Sequence, residues 1–473
     1  MSKKNKKKFS LFLVLLFSVL TILTPATQTK AAEKPSVKAH AYVIMDANSG
    51  KVLFSKNANK KIYPASTVKL MTALVTLEHC QLDEKVTITK KMLKAAPGSA
   101  SKAGLVAGSK YTVNDLLHML LLPSAADAAT ALAYASSGSN DSFIKAMNEK
   151  AKELGLSHSS FDNAIGLDIG DNYYKTYTCA KDFAILTRYA MTNETIRTIV
   201  AKPSYTVPKA KGKRAFTIKN TNQFLTTYSY NTDLYEIIGG KTGTTRAAGS
   251  VLITSAKDDN GHEIICAFFG NSTHERKYKD MKKLLNYTFR LGNQNKLAWK
   301  KGFWDVRFHE NAELFHTYYD EIQLFDSDAF YPDETADSET ILTIINNIAG
   351  TNMETLEETD SLSVKDLSEL FADNYFSNYN YMSIDTTTTE TVAPSATPIS
   401  SEYCVSNLIL EYASYELCSA QAQIALSLFL ENQILPESIS MDVNDTITKE
   451  EAVLIGDGLR MYFEGVESVS SVG

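Results

Sequence analysis

The chain has 473 residues, enough for two or three domains of ordinary size. With 44% hydrophobic and 22% charged residues, 11 Pro and 22 Gly, its composition excludes wholesale disorder, a collagen-like fibre and a multi-span membrane protein. The net charge of −6 hides a split: residues 1–300 carry 43 Lys+Arg against 22 Asp+Glu (+21), and residues 301–473 carry 5 against 32 (−27), so two parts with different surroundings are expected.

Five lysines within the first eight residues precede an apolar run from Phe9 to Leu23, which is too short to span a bilayer that needs about 20 residues. Small residues follow, with Ala31 and Ala32 before Glu33. This pattern reads as a secretory signal peptide, residues 1–32, and places the mature protein outside the cytoplasmic membrane with no stable transmembrane anchor. Ala41 to Met45 and Lys51 to Phe54 flank a turn at Asp46–Gly50 and read as a β-hairpin. Apolar residues at helical spacing predict helices from Ser66 through Glu78, from Asn114 to a stop at Pro123, and from Ala125 to Ser136. Strands are expected at Glu236–Gly243, Ser250–Ser255 and Glu263–Phe269. Hairpins at both ends with helices between them imply an α+β fold, an antiparallel sheet covered by helices.

The acidic part starts near residue 300. Helices are expected at 340–349, 403–412 and 451–463, each preceded by a Ser/Thr/Asp and Glu pattern suited to N-capping, and their similar spacing suggests a repeat. A loop is expected at 385–394. Five widely spaced cysteines (Cys80, Cys179, Cys266, Cys404 and Cys418) form neither CxxC pairs nor His–Cys clusters, so zinc is not expected. Buried free thiols are expected, with a Cys404–Cys418 bridge as the lesser reading.

Two motifs carry chemistry. In Ser66-Thr-Val-Lys69 the serine and lysine stand three apart, on one face of a helix, so the amine can reach the hydroxyl. A serine becomes a nucleophile when a neighbouring base takes its proton, and a lysine serves when burial or another cation lowers its pKa. In Glu236 to Thr245 a Lys241-Thr242-Gly243 segment offers a cation, a hydroxyl and an unhindered backbone on a strand, along which an extended substrate can pair. It is not a phosphate loop, because the glycine required five residues before Gly240 is Tyr235. No nucleic-acid partner is expected.

Together these motifs resemble those of the penicillin-binding and serine β-lactamase superfamily, and the wider match is to the low-molecular-weight serine-type D-alanyl-D-alanine carboxypeptidases, peptidase family S11. The resemblance includes Ala41–Asp46, Tyr63–Thr72, Met147–Gly155, Ile218–Asn222, Gly240–Gly243 with Ala248-Gly249, and Leu284–Tyr287, and it spans about residues 36–290. It implies a β-lactamase/transpeptidase-like domain at 33–295 that removes the terminal D-alanine of peptidoglycan stem peptides, is inhibited by β-lactams and needs no metal or cofactor. It further implies Ser66 as acylated nucleophile, Lys69 as base and Ser124 as proton relay. Lys241, Thr242, Gly243, Thr244 and a basic residue at Arg276 or Lys277 would bind substrate, and the backbone N–H groups of Ser66 and Thr244 would form the oxyanion hole.

Two positions depart from the family pattern. The asparagine of the SxN element is Ala126 here, which should weaken substrate and lysine contacts, with Asp127 as a partial substitute. Counting from Asp280 favours Lys277 as the carboxylate-binding cation, which forfeits a bidentate contact. A β-lactamase reading lacks the expected ExxxN segment: Glu153 and Glu194 have no Asn four residues on. The remaining alternative is a catalytically impaired protein on the same fold with a wall-binding or structural role. Residues 296–473 resemble three degenerate S-layer-homology repeats, which implies cell-wall association and polysaccharide binding. The sites would be Asp337–Glu339, Ser400–Glu402 and Thr448–Glu450, of which only the last keeps a cation, Lys449.

Overall fold

The computed structural model describes residues 34–167, 175–271, 273–322, 329–354, 359–375, 414–439 and 442–470. The expected signal peptide, the 385–394 loop, the 400–402 segment and the 403–412 helix lie outside the described residues.

Strands β1 (Ala41–Asp46) and β2 (Val52–Lys56) form the expected hairpin. A 3-10 turn at Ala65–Val68 then runs into α1 (Lys69–Leu77). This helix is buried from Lys69 to Thr76, as a helix with apolar residues on all sides must be, and it threads the centre of the main core. Two short strands, β3 (Lys85–Thr87) and β4 (Lys110–Thr112), pair around α2 (Lys90–Ala95). α3 (Val113–Leu121) opens on a capping box between Thr112 and Asp115. α4 (Ala126–Ser137) closes on Gly138 in the left-handed conformation. α5 (Asn140–Glu153), α6 (Ala180–Ala190) and α7 (Glu194–Ala201) complete the helical layer. A hairpin of β5 (Ser204–Val207) and β6 (Phe216–Lys219) precedes the long strands β7 (Glu236–Thr245), β8 (Gly249–Lys257) and β9 (Glu263–Asn271), and α8 (His274–Gly292) follows them.

The main sheet is antiparallel throughout, in the order β2-β1-β9-β8-β7. Its strands alternate between two buried faces. Val43, Ile265, Ala267 and Phe269 meet the helical layer around α1, while Tyr42, Ile264, Cys266 and Phe268 meet α8. The chain is therefore α+β, as expected. Cys80, Cys179, Cys266 and Cys418 are buried free thiols, and Cys404 lies outside the described residues.

After α8 the chain crosses the bottom of the sheet and builds a second apolar cluster starting at Phe303. Its main helices are α9 (Ser338–Ala349), α10 (Val364–Tyr375), α11 (Ala420–Glu431) and α12 (Lys449–Ser470), packed through Ile341, Ile345, Leu367, Phe371, Phe429 and Val453. The helices expected at 340 and 451 begin at 338 and 449. The crossing segment is fixed to the β1–β2 turn: Lys300 N–H donates to Asp46 Oδ2 at 3.0 Å, and Asn48 Nδ2 donates to the Lys300 carbonyl at 2.8 Å. Among the described residues no helix is long and apolar enough to cross a membrane.

Candidate active site

Ser66 lies in the 3-10 turn immediately ahead of α1 rather than inside the helix, but the three-residue spacing still brings the two side chains together. Lys69 Nζ donates to Ser66 Oγ at 3.1 Å and to the carbonyl of Ile165 at 2.7 Å. Lys69 is the first residue of the core helix and is 1% exposed, and burial pulls its amine from 10.5 down to about 7. The residue before Ser66, Ala65, is held at φ +50°, a strained conformation for a non-glycine.

The loop carrying Ile165 is shaped by Asn163, whose Oδ1 accepts the N–H groups of Ile165, Gly166 and Leu167 at 3.2, 2.7 and 3.3 Å. Gly166, at φ +75°, presses on the Ala65 backbone: a Cβ there would sit 1.9 Å from the Ala65 carbonyl oxygen. Asn163 was missed in the sequence. Its only signal was an Asn three residues before a Gly, a common turn composition.

Strand β7 is an edge of the main sheet and brings the Lys241–Thr244 segment against the Ser66 turn. Gly243 is the point of closest approach, since an added Cβ would lie 3.0 Å from Ala65 Cβ and Pro64 O and 3.1 Å from Ser66 N. Lys241 Nζ donates to the Thr242 carbonyl at 3.0 Å. Burial, then the Lys69 charge, then Lys277 lower the Lys241 pKa well below 10.5. Lys277 on α8 is fully buried, with Nζ 3.5 Å from the Val251 carbonyl, and burial lowers it to about 8. Arg276 is instead exposed and turned toward Asp280, 4.0 Å away. The structure thus gathers Lys69, Lys241 and Lys277 without a carboxylate in ion-pair reach of any of them among the described residues. Such a site attracts an anion, because each lysine regains its proton more easily once a negative charge arrives.

Ser124, between α3 and α4, is held at φ +65°, and its buried hydroxyl has no partner among the described residues. Thr221 ties this loop to β7: its Oγ1 lies 2.6 Å from Thr242 Oγ1 and donates to the Leu122 carbonyl at 3.1 Å. Ala126 starts α4 and is buried, its N–H donating to the Ser101 carbonyl at 2.7 Å. The expectation that Asp127 substitutes for the missing asparagine is corrected. Its carboxylate accepts the N–H groups of Ala103, Gly104 and Leu105 at 2.9, 2.8 and 3.0 Å, and is spent on fixing that loop.

Two groups of three side chains have metal-ligand composition, His158 with Cys179 and Asp182, and His309 with Asp333 and Glu450; neither includes a residue of this site. Cys179 is a buried thiol pushed up to about 11 by burial, and its sulfur already accepts the Asp182 N–H. His309 Nδ1 accepts the Asn311 N–H, which leaves the proton on the nitrogen facing Glu450.

The family model for D-alanyl-D-alanine carboxypeptidase, Peptidase_S11, matches residues 28–273. The D-alanyl-D-alanine carboxypeptidase of Streptomyces sp. strain K15 is 36% identical over 281 residues, covering 57% of this chain and 92% of that protein. The D-alanyl-D-alanine carboxypeptidase DacF of Bacillus subtilis is 32% identical over 278 residues, covering 57% of this chain and 68% of its own. The crystal structure of the Streptomyces K15 DD-transpeptidase superposes with a TM-score of 0.50 at 35% identity, over 55% of this chain and 99% of that one. A match over more than half the chain, on a fold that sets a buried lysine against a serine beside an edge strand, makes this chain a member of the S11 family of serine-type D-alanyl-D-alanine carboxypeptidases.

Proposed function

We propose that the protein is exported and removes the terminal D-alanine from peptidoglycan stem peptides through an acyl-enzyme on Ser66. The observation that carries this reading is the 3.1 Å contact between Ser66 Oγ and a Lys69 amine lowered to about 7, a base that is substantially neutral at neutral pH. Ser66 Oγ attacks the carbonyl carbon of the penultimate D-alanine as Lys69 takes its proton. The peptide C–N bond breaks, the departing amine receives that proton with Ser124 as relay, and terminal D-alanine leaves. Water then attacks the ester, and Ser66 regains its proton. The N–H groups of Ser66 and Thr244 face the developing oxyanion, Thr242 and Thr244 line the edge along which the peptide pairs, and Lys241 and Lys277 take its terminal carboxylate.

Export rests on the lysine-rich start followed by the short apolar run at 9–23. The acidic C-terminal unit is the poorer candidate for holding an anionic wall glycan. Lys449, the one cation at the three expected sites, already donates to the Phe330 carbonyl and to Glu334, both at 3.3 Å, and Asp337 is occupied capping α9 through Thr340 N–H at 2.8 Å.

A fluorescent penicillin should label the mature protein and not its Ser66→Ala variant, and D-alanine should be released from a diacyl-D-Ala-D-Ala peptide. Labelling without release would point to the second reading, an impaired enzyme, which the Ala126 substitution favours. Absence of labelling would remove the acyl-enzyme mechanism.

A further inference from the structure

Two stretches of the catalytic domain contain no acidic residue, and the fold packs them together. Residues 85–114 hold six lysines, and residues 195–232 hold seven lysines and arginines. The first includes the loop between α2 and β4, and the second includes the loop joining β5 to β6. Lys213 reaches across between them, donating to the carbonyls of Ala103 and Gly104. A Cβ on Gly212 would lie 3.4 Å from Val106, and one on Gly108 would lie 3.9 Å from the Lys211 amine. Lys102, Lys209, Lys211 and Arg214 project into solvent from this pair of loops, and none has an ion-pair partner among the described residues.

These loops are fixed to the segments that carry Ser124 and Thr242. The Ser101 carbonyl receives the Ala126 N–H, Ser101 Oγ donates to the Pro123 carbonyl at 3.1 Å, and Asp127 clamps residues 103–105 from the first turn of α4. At the other end, β6 leads directly into Asn220 and Thr221, and Thr221 is bonded to β7. The cations are thus mounted on a scaffold continuous with Ser124 and Thr242.

We propose that this rim, Lys102, Lys209, Lys211 and Arg214, is a docking surface for a linear polyanion of the cell wall, and that it holds the catalytic groove alongside the polymer. Each exposed cation is worth little against a single anion, because water screens it. A polymer with repeated charges engages all four at once and releases its counterions, so the small contributions add. No buried cation or backbone cradle for a lone phosphate is present among these residues, which argues for a chain over a small ligand. The protein's own acidic unit is attached elsewhere, through the β1–β2 turn and through Glu263 at the start of β9, and no described hydrogen bond or ion pair links it to the rim. The choice of a wall polymer over another polyanion rests on the export and peptidoglycan reading above.

The test uses the mature full chain and long-chain inorganic polyphosphate as the probe, with polyglucuronate as a carboxylate counterpart, measured by fluorescence anisotropy across a salt series. The variant K102E/K209E/K211E/R214E should bind at least tenfold more weakly, with a shallower dependence of log affinity on log salt. A control with four exposed cations reversed elsewhere, K60E/K152E/K181E/K279E, should lose less than about threefold. D-alanine release from a short diacyl-D-Ala-D-Ala peptide should be unchanged in both variants, which keeps this outcome separate from the failure of the carboxypeptidase reading. Equal losses in the two variants would reduce the effect to net charge and overturn the proposal. So would failure of the wild-type chain to bind either polymer, as expected if its own acidic unit covers the rim. Binding should also favour wall fragments that retain their anionic polymer over stripped ones; the reverse order would overturn the wall assignment.

Discussion

Arg307, the residue that leads the chain into its acidic C-terminal unit, donates through Nη2 to Glu263 Oε2 at 2.6 Å, and Arg197 of α7 holds the same carboxylate at 2.9 Å. The Arg307 and Glu263 side chains are almost fully buried. Asn48 Oδ1 accepts from Arg307 Nε at 3.0 Å, so the β1–β2 turn, β9, α7 and the C-terminal unit meet at one cluster. α7 in turn packs on β7, where Val200 lies against Gly239, two residues from Lys241. The cluster is therefore a seam between the two units and a support beneath β7, the strand that carries Lys241.

Breaking that seam should be costly. Arg307→Ala leaves a buried carboxylate with half its compensation and an emptied space, a loss of about 3–5 kcal/mol by the usual cost of orphaning one member of a buried pair. Replacing Glu263 by Gln removes the negative charge that two buried guanidinium groups share and should cost at least as much. Urea unfolding of the full chain measures both, and a change under about 1 kcal/mol in either would show that the seam is dispensable. The pH dependence has a definite sign. Burial alone would raise the Glu263 carboxyl, but Arg197 and Arg307 overcome it and hold it well below the usual carboxylate range. Its stabilisation is complete above the unfolded value near 4.5 and is lost as pH falls through the depressed folded value. The stability difference between wild type and Glu263→Gln should be flat from pH 7 to about 5 and shrink only below that.

The Lys69 amine sets a second pH dependence. Because its folded value is near 7, the acylation rate should climb with pH through neutrality and level off once the amine is neutral. Lys69→Ala should abolish penicillin labelling. Between about pH 7 and 10.5 the unfolded chain binds more protons at this residue than the folded one, so the stability of the wild type relative to Lys69→Met should rise across that window. A pH–acylation profile with no inflection between 6 and 8 would contradict Lys69 as the base.

The sequence made the Ser66–Lys69 pair legible because its geometry is local: a three-residue spacing on one turn fixes the contact. The five strands of the main sheet and the helices Lys69–Leu77, Val113–Leu121 and Ala126–Ser137 were legible in the local sequence pattern, whereas the buried helix Ala180–Ala190 and α8 were not anticipated. β3 to β6 were not seen, because strands of three or four residues with polar exteriors leave little alternation to read. The seam was invisible because Arg197, Glu263 and Arg307 are 44 or more residues apart, and charge pairing at that separation leaves no pattern in one sequence. Asp127 was misread for a related reason: its position beside the SxN element suggested the groove, whereas three backbone N–H groups more than 20 residues upstream turn it away. For Arg276 and Lys277 the helical register of α8 decided, burying one and exposing the other.

Gly243 marks the close approach between β7 and the turn that carries Ser66. In Gly243→Ala the new methyl would press on Ala65 Cβ, Pro64 O and Ser66 N, all within about 3.1 Å, so β7 must back away from Ser66. In the proposed mechanism a backbone displacement of this kind separates the two oxyanion donors, and loss of one such donor costs about 10²–10³ in rate. The expected result is a fall in acylation of at least tenfold with overall stability lowered by no more than about 3 kcal/mol. Wild-type acylation in a folded Gly243→Ala protein would mean that the strand and the turn need not approach so closely.

The position of Ala126 bears on how fast the enzyme can be. It starts α4 two residues after Ser124, whose buried hydroxyl lacks a partner among the described residues, and nearby Asp127 is committed elsewhere. An amide at this position would supply both a donor and an acceptor to the groove without disturbing the N–H that Ala126 gives to Ser101. A hydrogen bond to a charged partner contributes about 1.5–3 kcal/mol, so Ala126→Asn should accelerate penicillin acylation by roughly 10–100-fold. Ala126→Val serves as a steric control that adds bulk without polarity, and it should slow acylation. If Asn and Val slow the reaction to the same extent while both proteins stay folded, the missing amide is not what limits this enzyme, and the groove has been repacked around alanine.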